Sequence, residues 1–129
     1  MSKPVNDKQG HVFEDMFYLQ LENQSKLIDM GAYDGFKSVD SDKPVDDPKL
    51  CSYHIQQLVS EIGEVLEADK RWKNFRNDKY DKANKLEEIA DCFIVLMNVC
   101  MFSGYSASDV CDSIMSKIAK VSNRIDKID

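Results

Sequence analysis

The sequence predicts an all-α protein, a four-helix bundle-like domain that assembles as an oligomer. Two observations carry the helical class. Only 3 prolines and 5 glycines interrupt 129 residues, which leaves long stretches without a breaker. In those stretches apolar residues recur every three to four positions, with almost no period-two alternation. A third observation, short polar connections between the later stretches, makes consecutive helices neighbours and so points to a bundle.

The first helix is expected over residues 11–30, where Phe13, Met16, Phe17, Leu21, Leu27 and Ile28 follow a rough helical period. Gly31 stops it, and residues 31–47, rich in Asp, Ser and Pro, read as a long surface loop. Asp47-Pro48 is a cap followed by a first-turn proline, and it opens a second helix expected to reach about residue 76. A polar connection at 77–81 leads to a third helix over 82–103, which Gly104 ends. Ser106 with Asp109 resembles a capping box and would open a fourth helix to about residue 127.

A length of 129 residues suits one domain, 1–129, with residues 1–10 as a flexible tail. Charged residues at 31% and hydrophobic ones at 43% describe a soluble globular chain. A net charge of −6 argues against a nucleic-acid duplex or an anionic membrane as main partner. The first six residues lack the apolar segment of a secretory signal, and the longest nearly apolar run, 92–102, is too short to span a bilayer. Cys51, Cys92, Cys100 and Cys111 form no C-x-x-C and read as reduced core thiols of a cytoplasmic protein.

Chemistry enters with two acidic pairs, Glu61-x-x-Glu64 and Glu88-x-x-Asp91, one in each of the middle helices. Spacing of i, i+3 sets the carboxylates of a pair roughly 60° apart on a helix surface. An antiparallel hairpin of the two helices could bring four oxygen donors together, a site for a hard cation such as Mg²⁺ and through it for a phosphate chain. Asp and Glu number 23, so such a quartet can also arise by chance, and its neighbours must decide.

On the second helix Ile55, Leu58, Val59, Ile62, Val65 and Leu66 make an apolar face. Beside it runs a stripe of His54, Gln57, Glu61, Glu64, Ala68 and Trp72, either a site wall or ordinary boundary positions with Trp72 as a core plug. On the third helix every residue of 92–102 is apolar except Asn98, so burial on most sides is expected. Asn84, Glu88, Asp91 and Asn98 share one stripe there, and ionised carboxylates so placed need a cation. The competing reading makes Glu88 and Asp91 the solvated start of a helix that dives inward later, and leaves Asn98 without a role.

The fourth helix shows a core face of Val110, Ile114, Ile118, Val121 and Ile125. Lys117, Lys120 and Arg124 line its edge, either as a solvated face or as phosphate contacts. Lys70, Arg71, Lys73 and Arg76 around Trp72 invite the same two readings, with counter-charge to nearby acids the simpler one.

The segment Glu61-Ile62-Gly63-Glu64-Val65-Leu66-Glu67-Ala68, followed by Glu87-Glu88-Ile89-Ala90-Asp91, resembles the E-x-x-E, long gap, E-x-x-D signature of the all-α nucleoside triphosphate pyrophosphohydrolases. That superfamily includes MazG-like enzymes, dimeric dUTPases and dCTP pyrophosphatases. The likeness runs over residues 53–124, through the apolar run and Gly104 to Lys120, Asn123 and Arg124. It implies a helical homodimer or homotetramer that uses Mg²⁺, or Mn²⁺ in its place. Such an enzyme cleaves a nucleotide substrate (dUTP, dCTP or a non-standard nucleotide) between the α- and β-phosphates.

By the same resemblance Glu61, Glu64, Glu88 and Asp91 would be metal ligands, with Glu61 also the catalytic base. Lys120 and Arg124 would meet phosphates. Trp72 stands where dUTPase-like members often carry a Trp, and Gln20 and Asn23 of the first helix are the amides placed to read a pyrimidine edge. His54, Gln57 and Asn98 complete the expected substrate contacts. Two departures are present: Ser60 replaces a Glu that many relatives carry before Glu61, and Asn123 and Arg124 are adjacent rather than spaced. The alternative from another class is a catalytically silent helical-bundle interaction module.

Overall fold

The computed structural model describes residues 11–33, 43–73 and 79–128. It is helical throughout: α1 spans Val12–Asp29, α2 Pro48–Ala68, α3 Lys82–Met101 and α4 Ala107–Asp126, with a 3-10 turn at Lys70–Trp72. The expected flexible tail at 1–10 and most of the expected loop at 31–47 lie outside the described residues. The chain forms two compact units, one made of residues 1–45 and 104–129, the other of residues 46–103. No helix among the described residues is long and apolar enough to cross a membrane.

In the first unit α1 and α4 pack against each other. Phe17, Leu21 and Ile28 of α1 are buried, at the i, i+4 and i, i+7 spacings of one helix face, and so is Ala107 of α4. Gln24 is buried beside them and accepts a 2.7 Å hydrogen bond from the Tyr33 hydroxyl, which offsets the cost of its burial. The end of α1 is a Schellman turn: Ala32 N–H donates to Leu27 O and Gly31 N–H to Ile28 O. Gly31 adopts φ +79° there, a conformation a side chain would strain. The Ser106–Asp109 capping box opens α4 as expected, with both reciprocal bonds at 3.1 Å.

The second unit is an α2–α3 hairpin, and its contacts fix the antiparallel sense. Asp47 N–H, at the start of α2, donates to Phe102 O just past the end of α3. At the opposite end Lys85, in the first turn of α3, reaches Asp69 beyond α2. Asp47 caps α2 by accepting from Lys49 N and Leu50 N, with Pro48 following as the sequence indicated. Leu50, Val95, Met97, Met101 and Phe102 are buried, and with them the polar His54 and Asn98.

Three sequence expectations need correction. The second helix does not continue to residue 76. Asp69 takes an extended conformation, and its carboxylate accepts from Arg71 N to cap the 3-10 turn, so the α-helix ends at Ala68. The third helix stops at Met101 rather than 103, with Phe102 as its cap residue. Nor do the apolar faces all become core. Val59 is 68% exposed, Phe93 65% and Ile118 53%, and Ile55, Ile62, Leu66, Leu96, Ile114, Val121 and Ile125 are exposed as well. A helix paired on one side leaves the rest of a wide apolar stripe uncovered.

Candidate metal centre

Three of the four expected acids meet. One carboxylate oxygen from each of Glu61, Glu88 and Asp91 lies within 4.8 Å of the others, Glu61 from α2 and the other two from α3. Helix pairing supplies the convergence: Glu88 and Asp91 share a face of α3 by their i, i+3 spacing, and the antiparallel hairpin sets Glu61 opposite. Glu64 is exposed and outside this triad, yet close enough for its charge to act on Glu88.

The electrostatics suit a cation. Partial burial raises the Glu88 pKa above the ordinary carboxylate value, and the charges of Asp91, Glu64, Glu61 and Glu87 raise it further. Three oxygen donors from two helices fit a hard divalent cation. The half-buried Cys92 thiol is also raised, first by burial and then by Glu61, Asp91 and Glu88. Cys51, Cys100 and Cys111 are half-buried free thiols too.

Beside the triad runs a groove of about 530 Å³, walled by Ile62, Val65, Leu66, Ile89 and Cys92, with Asp69, Trp72 and Lys85 along it. None of the three acids lines the groove, but Cys92 does, and the charges of all three act on it, so the groove lies close to the carboxylates. Trp72 is exposed rather than a core plug, and its indole N–H donates to Leu66 O at 3.2 Å, satisfying a last-turn carbonyl of α2.

A charged knot at this end was missed from sequence. Asp69 accepts a bidentate pair from Arg71, 2.7 Å from Nε and 2.6 Å from Nη2, and a 3.1 Å bond from Lys85 Nζ. The Arg71 hydrogen bond holds the Asp69 carboxyl well below the usual range, with Lys85 adding to it. Arg71 also lies 3.6 Å over the Tyr80 ring. Lys70 pairs with Glu67 at 3.5 Å, so counter-charge is the role of at least these two basic residues. An Asp directly after the last helical turn and two residues before an Arg was the local signal. The reach across to Lys85 had none.

The other expected contacts fall into two groups. His54 and Asn98 are buried, with Asn98 Nδ2 3.5 Å from His54 Nδ1 and the His54 ring stacked on Phe102 at 5.2 Å. Half-buried Gln57 shares a hydrogen bond with His54. Asn98 thus has a partner that the acidic stripe did not suggest. Gln20 and Asn23 lie on α1, their side chains 3.4 Å apart, and Lys120 and Arg124 are exposed on α4.

Burial lowers the His54 pKa, a hydrogen bond with Gln57 opposing the shift. The folded protein therefore resists protonation that the unfolded chain accepts, so this stability is complete above pH about 6.5 and is lost as pH falls towards the depressed value. Urea midpoints of the parent should fall from pH 7.5 to 5.5 by more than those of His54→Phe. Equal slopes for the two proteins would show that His54 contributes nothing to the acid side.

No family model, no curated protein and no solved structure matches the chain.

Proposed function

We propose that this protein is a Mg²⁺-dependent nucleoside triphosphate pyrophosphohydrolase, cleaving a (deoxy)nucleotide between its α- and β-phosphates to give a nucleoside monophosphate and pyrophosphate. The observation that carries the reading is the meeting of Glu61, Glu88 and Asp91 close to an apolar groove. A cation site alone has many uses; beside an apolar groove of about 530 Å³, its natural ligand joins a phosphate chain to an apolar, flat heterocycle. Mg²⁺ held by the triad would offset the phosphate charge and polarise the scissile linkage.

The chain's own residues supply the rest. Glu61, facing the two α3 acids, accepts the proton of the water that attacks the α-phosphorus, and the bond from that phosphorus to the bridging oxygen breaks as pyrophosphate leaves. Glu64 is the reserve acid, within electrostatic reach of the triad. Trp72 offers its exposed face to the base.

Assembly belongs to the same proposal. Exposed apolar residues on α2, α3 and α4 favour a homodimer or homotetramer that covers them. A cytoplasmic setting, where free nucleoside triphosphates occur, completes it.

The test is release of pyrophosphate from a panel of canonical and damaged nucleoside triphosphates, with Mg²⁺ and with chelator. At least one nucleotide should yield monophosphate and pyrophosphate in equal amounts, only when Mg²⁺ is present. Silence on every nucleotide would sink the enzyme and leave the helical interaction module in its place.

A further inference from the structure

The groove has two ends of different chemistry. At one, Cys92 borders the carboxylate triad; at the other, Lys85 and Asp69 form a 3.1 Å ion pair next to Trp72. Between them the walls are Ile62, Val65, Leu66 and Ile89. A phosphate chain cannot lie along an apolar wall without losing its hydration, whereas a nucleobase can. With phosphates at the triad, the base fills the middle. Its edge remote from the sugar then arrives at Lys85.

Resting on the nucleotide reading above, we propose that Lys85 is a specificity-determining residue. Its ammonium, aimed by Asp69, donates to a carbonyl oxygen on the far edge of the base and selects keto bases over amino bases.

Three observations separate this from a phosphate contact. Lys85 lines the groove with its side chain 31% exposed, so its head group is not free in bulk water. Asp69 divides its one negative charge between Arg71 and Lys85, so the ammonium keeps its charge, and the apolar walls beside it are what disfavour a polyanion there. Asp69 is itself gripped by Arg71 Nε and Nη2, so it orients Lys85 instead of following it. One of the three ammonium donors goes to Asp69, which leaves capacity for a ligand.

A Lys has no acceptor. Uracil, thymine or guanine presents an oxygen at that edge, while cytosine or adenine presents an amine. An amine facing the ammonium would leave two donors opposed and a desolvated charge unmatched, so discrimination follows from the mismatch as much as from the match.

The chain has 1 tryptophan, so its indole N–H gives a single reporter beside Lys85. ¹⁵N-labelled protein without metal is titrated with deoxyuridine, deoxycytidine and inorganic phosphate, following the Trp72 indole resonance. Deoxyuridine should move it with a Kd about tenfold below that of deoxycytidine, the worth of one charge-assisted hydrogen bond at a half-open site. Phosphate should not move it. Lys85→Met should bring the two nucleosides together, and Lys85→Arg, which keeps a donor, should retain the preference; the backbone spectrum of each variant checks its fold. Equal Kd values in the parent, or a preference that survives Lys85→Met, overturn the role of Lys85 while the nucleotide reading stands. A Lys85-dependent shift with phosphate overturns it in favour of an anion site. If no nucleoside binds, the inference falls, and pyrophosphate release decides separately whether the enzyme falls with it.

Discussion

Glu61→Gln should lower Mg²⁺-dependent pyrophosphate release about a thousandfold, the range expected for losing a general base. The substitution keeps the side-chain volume and hydrogen-bonding atoms but removes the charge and the proton acceptor. Glu61 is half-buried on α2, away from the caps that hold the hairpin, so helicity and thermal midpoint should stay near those of the parent. Glu64→Gln is the informative companion. Glu64 is exposed and outside the converging triad, so its loss should cost only about tenfold, through the field it exerts on Glu88. Steady-state release measured at saturating Mg²⁺ separates the two. Turnover by Glu61→Gln at the parental rate would remove the base assignment. Equal, severe losses for both variants would mean that four acids bind, not three.

The largest stability effect is expected at Phe102→Ala. Phe102 is 2% exposed, its ring is stacked on His54 with 4° between planes, and its carbonyl accepts from Asp47 N. Truncation removes the ring that shields His54 and opens a cavity at the end of the hairpin where α2 starts and α3 stops. The expected loss is about 3–5 kcal/mol, a large share of the 5–15 kcal/mol typical of a small domain. Urea denaturation gives the loss. Water entering the cavity should also let the His54 pKa climb back towards its ordinary value, which NMR titration of the imidazole reads independently. A loss under about 1 kcal/mol with His54 unchanged would show that this stack does not hold the hairpin.

Much of the secondary structure was legible because its causes are local. Asp47-Pro48 and Ser106 with Asp109 cap the helices that they were expected to cap, since a cap needs only a side chain within three residues of the amide it satisfies. The early end of α2 was not legible. Lys70, Arg71 and Trp72 are acceptable helix residues, and what stops the helix is Asp69 serving Arg71 beside it and Lys85 across the hairpin. Asn98 shows the same limit. On the helix wheel it shares a stripe with Glu88 and Asp91, but its neighbour is His54 from the other helix. Most of the residues expected as core faces of α2 and α4 stay exposed, because hydrophobicity says which residues leave water when a partner surface exists, not that one chain provides it.

From residue order alone came the four helices, the N-terminal caps on two of them, and the pairing of acids on a common helix face, because each follows from spacing along a single helix. Only tertiary structure decided that Glu61 joins Glu88 and Asp91 while Glu64 stays aside, that a groove runs from Cys92 to Trp72, and that Lys85 is tied to Asp69. The reason is geometric: a helical period gives the angle of a side chain about its own axis, whereas the rotation and register of one helix against the next depend on how distant surfaces interlock.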